Sequence, residues 1–211
     1  MDNKAFYNLS YGVFVLGTNA GGRLNACITN TCMQVANDPT RIAISCINKN
    51  KTCEMIKQSE TFALSVLDKD ATFDTIKHFG YQSGHNVEKF ENFPFLLDDF
   101  GNPYLKNQVC SVFSCKVLSA TDLETHTLFV AKVMDAQVLS SKKPITYADY
   151  QADIKPKSPV QTAPVQTDKK IIGWRCKICG YEYYDSTSLP EDFTCPICGH
   201  PKEDFEPIYE K

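Results

Sequence analysis

The sequence has no long hydrophobic run, and its N-terminus is a polar stretch where a signal peptide would carry an apolar core. A membrane-spanning helix needs about 20 consecutive apolar residues, so we expect neither a membrane span nor an export signal. The protein is therefore expected in the cytoplasm. Hydrophobic residues make up 43% of the chain and charged residues 22%, which is typical of a soluble globular protein.

Two further absences concern nucleotides and nucleic acids. No Gly-x-Gly-x-x-Gly stretch follows a predicted strand, so a dinucleotide-binding Rossmann fold is not indicated. Residues 171–211 contain four basic side chains against eight acidic ones, a net charge of −4. This acidic end argues against nucleic-acid binding and favours a protein partner with a basic docking face. It is equally compatible with an ordinary solvated surface.

Cysteine, by contrast, is abundant, with ten residues in the chain. Thiols are kept reduced in the cytosol, so disulfides are not expected. Six of the ten are predicted to be small buried residues of the fold: Cys27, Cys32, Cys46, Cys53, Cys110 and Cys115.

The other four cysteines form two Cys-x-x-Cys pairs, Cys176/Cys179 and Cys195/Cys198, separated by 15 residues. Two residues between thiolates let both sulfurs face one ion, and two such pairs complete a tetrahedron. A glycine follows each pair and permits the backbone turn that aims amide groups at sulfur. The pattern predicts a four-cysteine metal site, for which zinc and iron are both possible. His200 is not expected to be a ligand, because its pair is already complete.

Alternating apolar residues and turn signals predict a domain of antiparallel strands with few helices, a barrel or sandwich. Strands are predicted at 11–18, 23–30, 41–47, 62–68, 109–123 and 126–139, and helices at 3–10, 51–60 and 72–79. Residues 80–103 are predicted to be irregular. Residues 153–170 contain three prolines and no aromatic residue, which predicts a linker.

Polar residues cluster at two strand ends, 25–30 and 45–52. The second cluster leads into a helix that begins near Lys51 and Thr52. Free backbone N–H groups and a lysine at a helix start can bind phosphate. Strand ends are commonly polar, however, so these residues alone leave a purely structural interpretation open.

The segments WRCKICGYEY and DFTCPICGHPKEDFE, which begin at Trp174 and Asp192, resemble rubredoxins. The short connection between the two cysteine pairs is more similar to the rubredoxin modules at the ends of rubrerythrins. The resemblance implies iron rather than zinc as the metal bound by Cys176, Cys179, Cys195 and Cys198.

Several motifs between Lys4 and Tyr150, among them LSYGVFVLGT, NACITNTC, FALSVL, FGYQSGHNVEKF and HTLFVAKVMDA, resemble the flavin reductase-like family. The resemblance implies a split β-barrel that binds FMN as a homodimer. It implies flavin contacts along the second and third predicted strands, at the helix start and in one loop: Asn25, Ala26, Cys27, Ile28, Thr29, Ser45, Cys46, Ile47, Asn48, Lys51, Thr52, Ser83, Gly84 and His85.

The same resemblance places His126 near the flavin and the nicotinamide, as a catalytic hydrogen-bond donor. Many relatives have Gly-Asp before this histidine, whereas this chain has Glu124-Thr125, and His85 stands where arginine is common. A histidine bonded only within its strand remains an alternative role for His126. His78 is expected to be a surface residue.

The domain arrangement is predicted as 1–152 for the flavin domain, 153–170 for the linker and 171–211 for the metal module. It resembles the high-molecular-weight rubredoxins, in which electrons pass from NADH through FMN and iron to a flavodiiron protein that reduces oxygen or nitric oxide. The resemblance thus implies a role in oxidative and nitrosative stress.

Two other functions remain open at this point. One is a free-flavin or ferric reductase with a docking tail. The other is a flavin- or haem-binding sensor barrel whose zinc ribbon recruits a partner.

Overall fold

The computed structural model describes residues 3–156, 171–177, 181–184, 188–195 and 201–210. The chain divides into two compact units, Met1–Lys155 and Pro156–Lys211. Among the described residues, no helix has the length and hydropathy needed to cross a membrane.

The first unit is built on one antiparallel sheet of seven strands. Its strands are β1 (Phe14–Ala20), β2 (Arg23–Thr29), β3 (Cys32–Asn37), β4 (Thr40–Ile47), β5 (Thr61–Leu67), β8 (Val109–Asp122) and β9 (His126–Val138). They are ordered β2-β1-β5-β8-β9-β4-β3. A two-stranded ribbon of β6 (Phe95–Leu97) and β7 (Pro103–Leu105) lies between β5 and β8 in the chain.

The sheet curls into a barrel because its two edge strands, β2 and β3, follow each other directly in the chain. Only Asn30 and Thr31 separate them, so the two edges must lie side by side. Thr29 Oγ1 donates to Ser45 O at 2.9 Å, and Ser45 N donates to Thr31 O at 3.2 Å. The barrel is thus split between β2 and the end of β4, where isolated hydrogen bonds replace a ladder.

The barrel interior is filled by apolar side chains that alternate along the strands, as the two-residue period of a strand requires. Fully buried members include Leu16, Ile44, Phe62, Leu64 and Phe129. This core agrees with the predicted mainly β fold with a split barrel, which is confirmed.

Two helices cover the barrel. The first, α1 (Lys51–Ser59), buries Thr52, Cys53, Met55 and Ile56, which share one face at helical spacing. The second, α2 (Phe73–Gly80), begins where Thr72 Oγ1 accepts from Thr75 N, an N-cap hydrogen bond. Short helical turns occur at Asn3–Asn8, Tyr147–Asp149, Tyr150–Ile154 and Lys202–Asp204.

The second unit contains a three-stranded sheet, β11-β10-β12, formed by β10 (Ile171–Cys176), β11 (Glu182–Tyr183) and β12 (Phe205–Tyr209). Its core consists of Cys176, Cys195 and Phe205. Half-buried side chains pack against this core: Trp174, Tyr181, Leu189 and Phe193. Aromatic side chains therefore pack around two of the four predicted ligand cysteines.

Three strands of the first unit were missed in the sequence. Strand β3 is an edge strand whose apolar Met33 and Val35 are exposed, so it lacks the alternating pattern of a half-buried strand. Strands β6 and β7 have three residues each, and β7 begins with a proline. Strand β3 pairs with the following strand β4, and β6 pairs with β7. The β6–β7 ribbon lies so close to β1 that a Cβ on Gly17 would be 2.0 Å from Pro103 O.

Several other expectations need correction. His78 is half-buried, stacks on Phe93 with ring centroids 5.1 Å apart, and hydrogen-bonds Lys89 O through Nε2 at 2.7 Å. It is therefore not a free surface residue. Cys32 is half-buried, whereas the other five predicted core cysteines are buried. Asp153 and Ile154, the first two residues of the predicted linker, belong to the last helical turn of the barrel unit.

Candidate functional site

The two polar clusters predicted from the sequence meet at one place in the fold. Strand β2 and the end of β4 face each other across the split of the barrel, and α1 begins immediately beyond β4. Asn25 Nδ2 donates to Thr52 Oγ1 at 3.2 Å, and the sulfurs of Cys27 and Cys46 are 3.8 Å apart. Segments 25–29, 45–48 and 51–52 are thus brought together by tertiary structure.

The side chains of β2 point alternately to two sides. Cys27 belongs to the barrel core, whereas Ala26 packs in a second buried cluster with Ile28 at its edge. Ile28 Cγ1 would lie 3.2 Å from a Cβ on Gly80, at the end of α2. A ligand therefore could not contact all five predicted β2 side chains from one side.

The predicted residues separate into an accessible layer and a buried layer. Exposed or half-buried are Ile28, Ser45, Ile47, Asn48, Lys51, Ser83, His85 and His126. Buried are Asn25, Ala26, Cys27, Thr29, Cys46, Thr52 and Gly84. A bound molecule would touch the first set directly, and the second set would support the surface beneath it.

Gly84 fits closely against Asn25. A Cβ at Gly84 would be 2.3 Å from Asn25 Nδ2, a separation that no side chain tolerates. Asn25 Oδ1 is buried and has no hydrogen-bond partner. Exchanging the amide oxygen and nitrogen would leave a donor unpaired instead of an acceptor. An unpaired polar atom beneath a glycine-lined surface fits a site completed by a bound polar group.

The loop that carries Ser83, Gly84 and His85 is held onto β2 by Arg23. Arg23 Nη2 donates to Gly84 O at 3.1 Å and pairs with Glu88 at 2.7 Å. The positive charge of His85 contributes to lowering the pKa of Glu54, for which the hydrogen bond from Lys51 is the main cause. His85 therefore lies near the start of α1, on the same side as the other predicted residues.

At the start of α1, the side chain of the N-cap residue Asn50 makes no capping hydrogen bond. Lys51 Nζ pairs with Glu54 Oε1 at 2.8 Å, and its side chain is 19% exposed. Thr52 is turned inward to Asn25, so its hydroxyl is not presented at the surface. Backbone N–H groups and Lys51 are consequently the groups with which this turn can bind an anion.

Asn48 connects the end of β4 to the β8–β9 hairpin. Its Nδ2 donates to Asp122 Oδ1 at 3.1 Å and to Glu124 O at 3.0 Å. Thr127 Oγ1 donates to its Oδ1. The amide of Asn48 is thus occupied by the hairpin, and its function here is to fix the position of the hairpin turn.

This connection brings His126 to the site. His126 is paired in register with Ile47 in the β4–β9 ladder. Its Nδ1 is 2.8 Å from Thr125 Oγ1. Burial lowers the pKa of His126, so the neutral ring is favoured. A neutral imidazole held at one nitrogen can offer the other to a ligand.

The sequence did not single out Arg23, Glu88 or Lys89. Lys89 is 2% exposed, and its Nζ donates to Phe79 O at 2.7 Å, at the end of α2. Burial lowers the pKa of Lys89. Lys89 lies between Glu88 and Phe90, and lysine is rarely fully buried, so the local sequence carried no signal of its burial.

In the second unit, Cys176 and Cys195 are both buried in one small core. Cys176 N donates to Tyr181 O at 2.7 Å. The buried Trp174 Nε1 in this core has no acceptor among the described residues. Thiols and an unpaired donor fit a metal bound by anionic sulfur. The predicted ligands Cys179 and Cys198, together with Gly180, Gly199 and His200, lie outside the described residues.

The barrel unit and the small unit each match a known family. Residues 6–154 match the flavin reductase like domain, and residues 174–206 match the rubredoxin-like domain of rubrerythrin. The high molecular weight rubredoxin of Moorella thermoacetica is 34% identical over 99% of this chain and 100% of its own. The ferric-chelate reductase (NAD(P)H) of Archaeoglobus fulgidus is 36% identical over 81% of this chain and 100% of its own.

Among solved structures, the flavin reductase PheA2 in its native state is similar with a TM-score of 0.58 and 27% identity. The similarity covers 69% of this chain and 93% of that one. From these matches and the geometry of its two units, the chain belongs to the flavin reductase-like family in the form of the high molecular weight rubredoxins, with a C-terminal rubredoxin-like domain, and is an oxidoreductase.

Proposed function

We propose that this protein transfers electrons from NADH through FMN on the barrel to iron at the four cysteines, and then to an acceptor protein. The observation that carries the proposal is that one chain contains both a flavin reductase-like and a rubredoxin-like domain. When bound, the flavin supplies the conversion between hydride and single-electron transfer, and the iron supplies a one-electron store.

The barrel residues bind and orient the cofactor. The backbone N–H groups at the start of α1 and the Lys51 side chain bind the phosphate. Lys51 Nζ exchanges its ion pair with Glu54 for one with the phosphate. Ser45, Ile47 and the backbone around Asn48 line the accessible edge of β4. Asn25 and Gly84 support the surface from below, where a Cβ at Gly84 has no room.

His126 donates or accepts one hydrogen bond at the nitrogen that Thr125 does not engage. Burial lowers the pKa of His126, so this nitrogen acts without a full positive charge at neutral pH. The neutral ring suits a hydrogen bond to the cofactor or the nicotinamide better than an ionic contact.

The iron ligands are Cys176, Cys179, Cys195 and Cys198, and the aromatic side chains around Cys176 and Cys195 exclude water from the metal. The acceptor is a protein of the flavodiiron class, which reduces oxygen or nitric oxide. The acidic character of residues 171–211 supports a protein acceptor with a basic docking surface. The buried thiols and the thiolate site suit the reducing cytoplasm.

A homodimer is part of the proposal. Large apolar side chains are exposed on β3 and on the outer parts of β8 and β9: Met33, Val35, Leu118, Met134 and Val138. An apolar surface of this kind on a soluble protein favours a protein interface.

The proposal is tested by the visible spectrum of the full-length protein under anaerobic conditions, before and after NADH is added. We expect overlapping flavin and ferric-thiolate bands that both bleach. In Cys195→Ser the ferric-thiolate band should be lost, and the flavin band should still bleach. A flavin band alone in the wild-type protein would contradict electron transfer to iron.

A second candidate function is the reduction of ferric chelates or free flavin, with the small unit as a docking tail. It is favoured by the similarity to a ferric-chelate reductase, which matches 81% of this chain over its own full length. Here the full-length wild type and Cys195→Ser should reduce a ferric chelate at equal rates with NADH. A Cys195→Ser rate at least about tenfold lower would instead place the iron on the main route.

A further inference from the structure

Two sulfurs touch inside the barrel, at a place where no backbone ladder joins the strands. Cys27 on β2 and Cys46 on β4 have Sγ atoms 3.8 Å apart and are 5% and 2% exposed. The strands β2 and β4 are not neighbours in the sheet. The thiol contact therefore bridges the split of the barrel, close to the hydrogen bond from Thr29 to Ser45 O.

The two thiols differ in their tendency to ionise. The hydrogen bond with Cys46 lowers the pKa of Cys27, and the charge of Lys89 and a hydrogen bond with Thr52 act in the same direction against burial. The same contact with Cys27 raises the pKa of Cys46 well above its ordinary value. Of the two sulfurs, Cys27 is thus the one more readily ionised, with Cys46 as the thiol that donates to it.

We propose that Cys27 and Cys46 form an oxidation site, at which peroxide converts the two thiols into a reversible disulfide that ties β2 to β4. The proposal rests on the thiol geometry and stands whether or not the proposed function is correct.

The reaction balances with hydrogen peroxide as the two-electron oxidant. The Cys27 thiolate attacks one peroxide oxygen, the O–O bond breaks, and the departing hydroxide takes a proton to form water, leaving a sulfenic acid. The Cys46 sulfur then attacks the Cys27 sulfur, an S–S bond forms, the S–O bond breaks, and a second water leaves with the Cys46 proton. Two thiols and one peroxide give one disulfide and two waters.

Cys53 is the competing partner. Its pKa is lowered to about 7, mainly by a hydrogen bond with Cys46, and it is fully buried on α1. Its Sγ is also directed at Asn48 Oδ1 at 3.9 Å, whereas the sulfurs of Cys27 and Cys46 lie 3.8 Å apart. Cys53 therefore competes with Cys27 for the Cys46 sulfur. Cys32 differs from both, because burial raises its pKa to about 12 and keeps it protonated.

A disulfide has consequences for the candidate site. The S–S bond is about 2.05 Å long, so the two sulfurs must approach by almost 2 Å. The approach draws the predicted flavin-binding segments 25–29 and 45–48 together. The disulfide also joins β2 and β4 covalently at the split of the barrel, where no backbone ladder joins them.

The test uses the full-length protein, treated with hydrogen peroxide, alkylated at its remaining thiols, digested with trypsin and analysed by mass spectrometry. Cys27 falls in the tryptic peptide 24–41, Cys46 in 42–49 and Cys53 in 52–57. We expect a link between 24–41 and 42–49 that is lost when the sample is reduced. Fragment ions assign it to Cys27 rather than Cys32 in the wild type, so the assignment does not depend on a variant folding.

Two variants complete the experiment. Cys27→Ser should abolish the link, and Cys32→Ser, a matched control in the same peptide, should retain it. A link between 42–49 and 52–57 would overturn the assignment by making Cys53 the partner. Unchanged thiols, or sulfinic acid at Cys27 without any link, would overturn the proposal altogether.

Discussion

The two units of this protein assemble their candidate sites in opposite ways. In the small unit, the predicted metal ligands come as two Cys-x-x-Cys pairs whose spacing is a property of the local chain. In the barrel unit, the candidate site is formed by residues of five elements: β2, β4, α1, the 83–88 loop and the β8–β9 hairpin. Its contacts join residues far apart in sequence, such as Asn25 with Thr52 and Asn48 with Glu124.

The difference shows that a metal site and a cofactor site depend on different parts of the chain. A tetrahedral thiolate site tolerates change around it as long as its four sulfurs remain. A site made of strand ends and loops depends on every contact that fixes their relative positions. A substitution in the small unit should therefore change metal binding. A substitution in the barrel should change the relative positions of the residues that form the site.

The largest expected effect is the loss of iron. Cys176→Ser removes one of four predicted ligands, and we expect the iron content to fall at least about tenfold with the ferric-thiolate band lost. The matched change in the barrel is Cys115→Ser, which places a hydroxyl in a fully buried position. It should lower the free energy of unfolding by about 1–3 kcal/mol without affecting iron. Iron retained in Cys176→Ser would contradict the ligand assignment.

The next effect concerns how the loop rests on β2. Gly84→Ala would place a Cβ 2.3 Å from the Asn25 amide, so either the loop or the buried Asn25 side chain must shift. We expect flavin affinity, measured by titration of the flavin-free protein, to fall about tenfold, and the free energy of unfolding to fall by about 1–3 kcal/mol.

Gly80→Ala is the control for this change, because its Cβ meets only Ile28, with Cγ1 the nearest atom at 3.2 Å. Flavin affinity in Gly80→Ala should stay within about twofold of wild type, since a side-chain end can shift by a few tenths of an ångström. Equal losses in the two variants would show that the position of the loop does not matter.

The smallest expected effect is on the pH dependence of stability. Because burial lowers the pKa of His126 in the folded state, the unfolded chain binds more protons between that pKa and about 6.5. The contribution of His126 to stability is therefore complete above about pH 6.5 and is lost as pH falls through the folded-state pKa.

In His126→Gln the decrease in the free energy of unfolding between pH 7.5 and pH 5 should be smaller than in the wild type. The measurement is denaturant unfolding at both pH values. An identical decrease in both proteins would show that the ring is not desolvated by folding.

The sequence alone was sufficient for features set by local pattern. The Cys-x-x-Cys pairs predicted the small unit. Alternating apolar residues and turn signals predicted the strands β1, β2, β8 and β9, and helix-start signals predicted α1 and α2. These elements are determined within a few residues, because strand period, helix period and turn chemistry act locally.

Tertiary structure alone decided which polar residues share a surface and which are buried. It brought the Cys27 sulfur to that of Cys46, placed Ala26 in a separate buried cluster, and buried Lys89 against the end of α2. The physical reason is that burial and hydrogen bonding depend on partners far away in the chain. Nothing near Cys27 in the sequence indicates that its sulfur meets that of Cys46 across the split of the barrel.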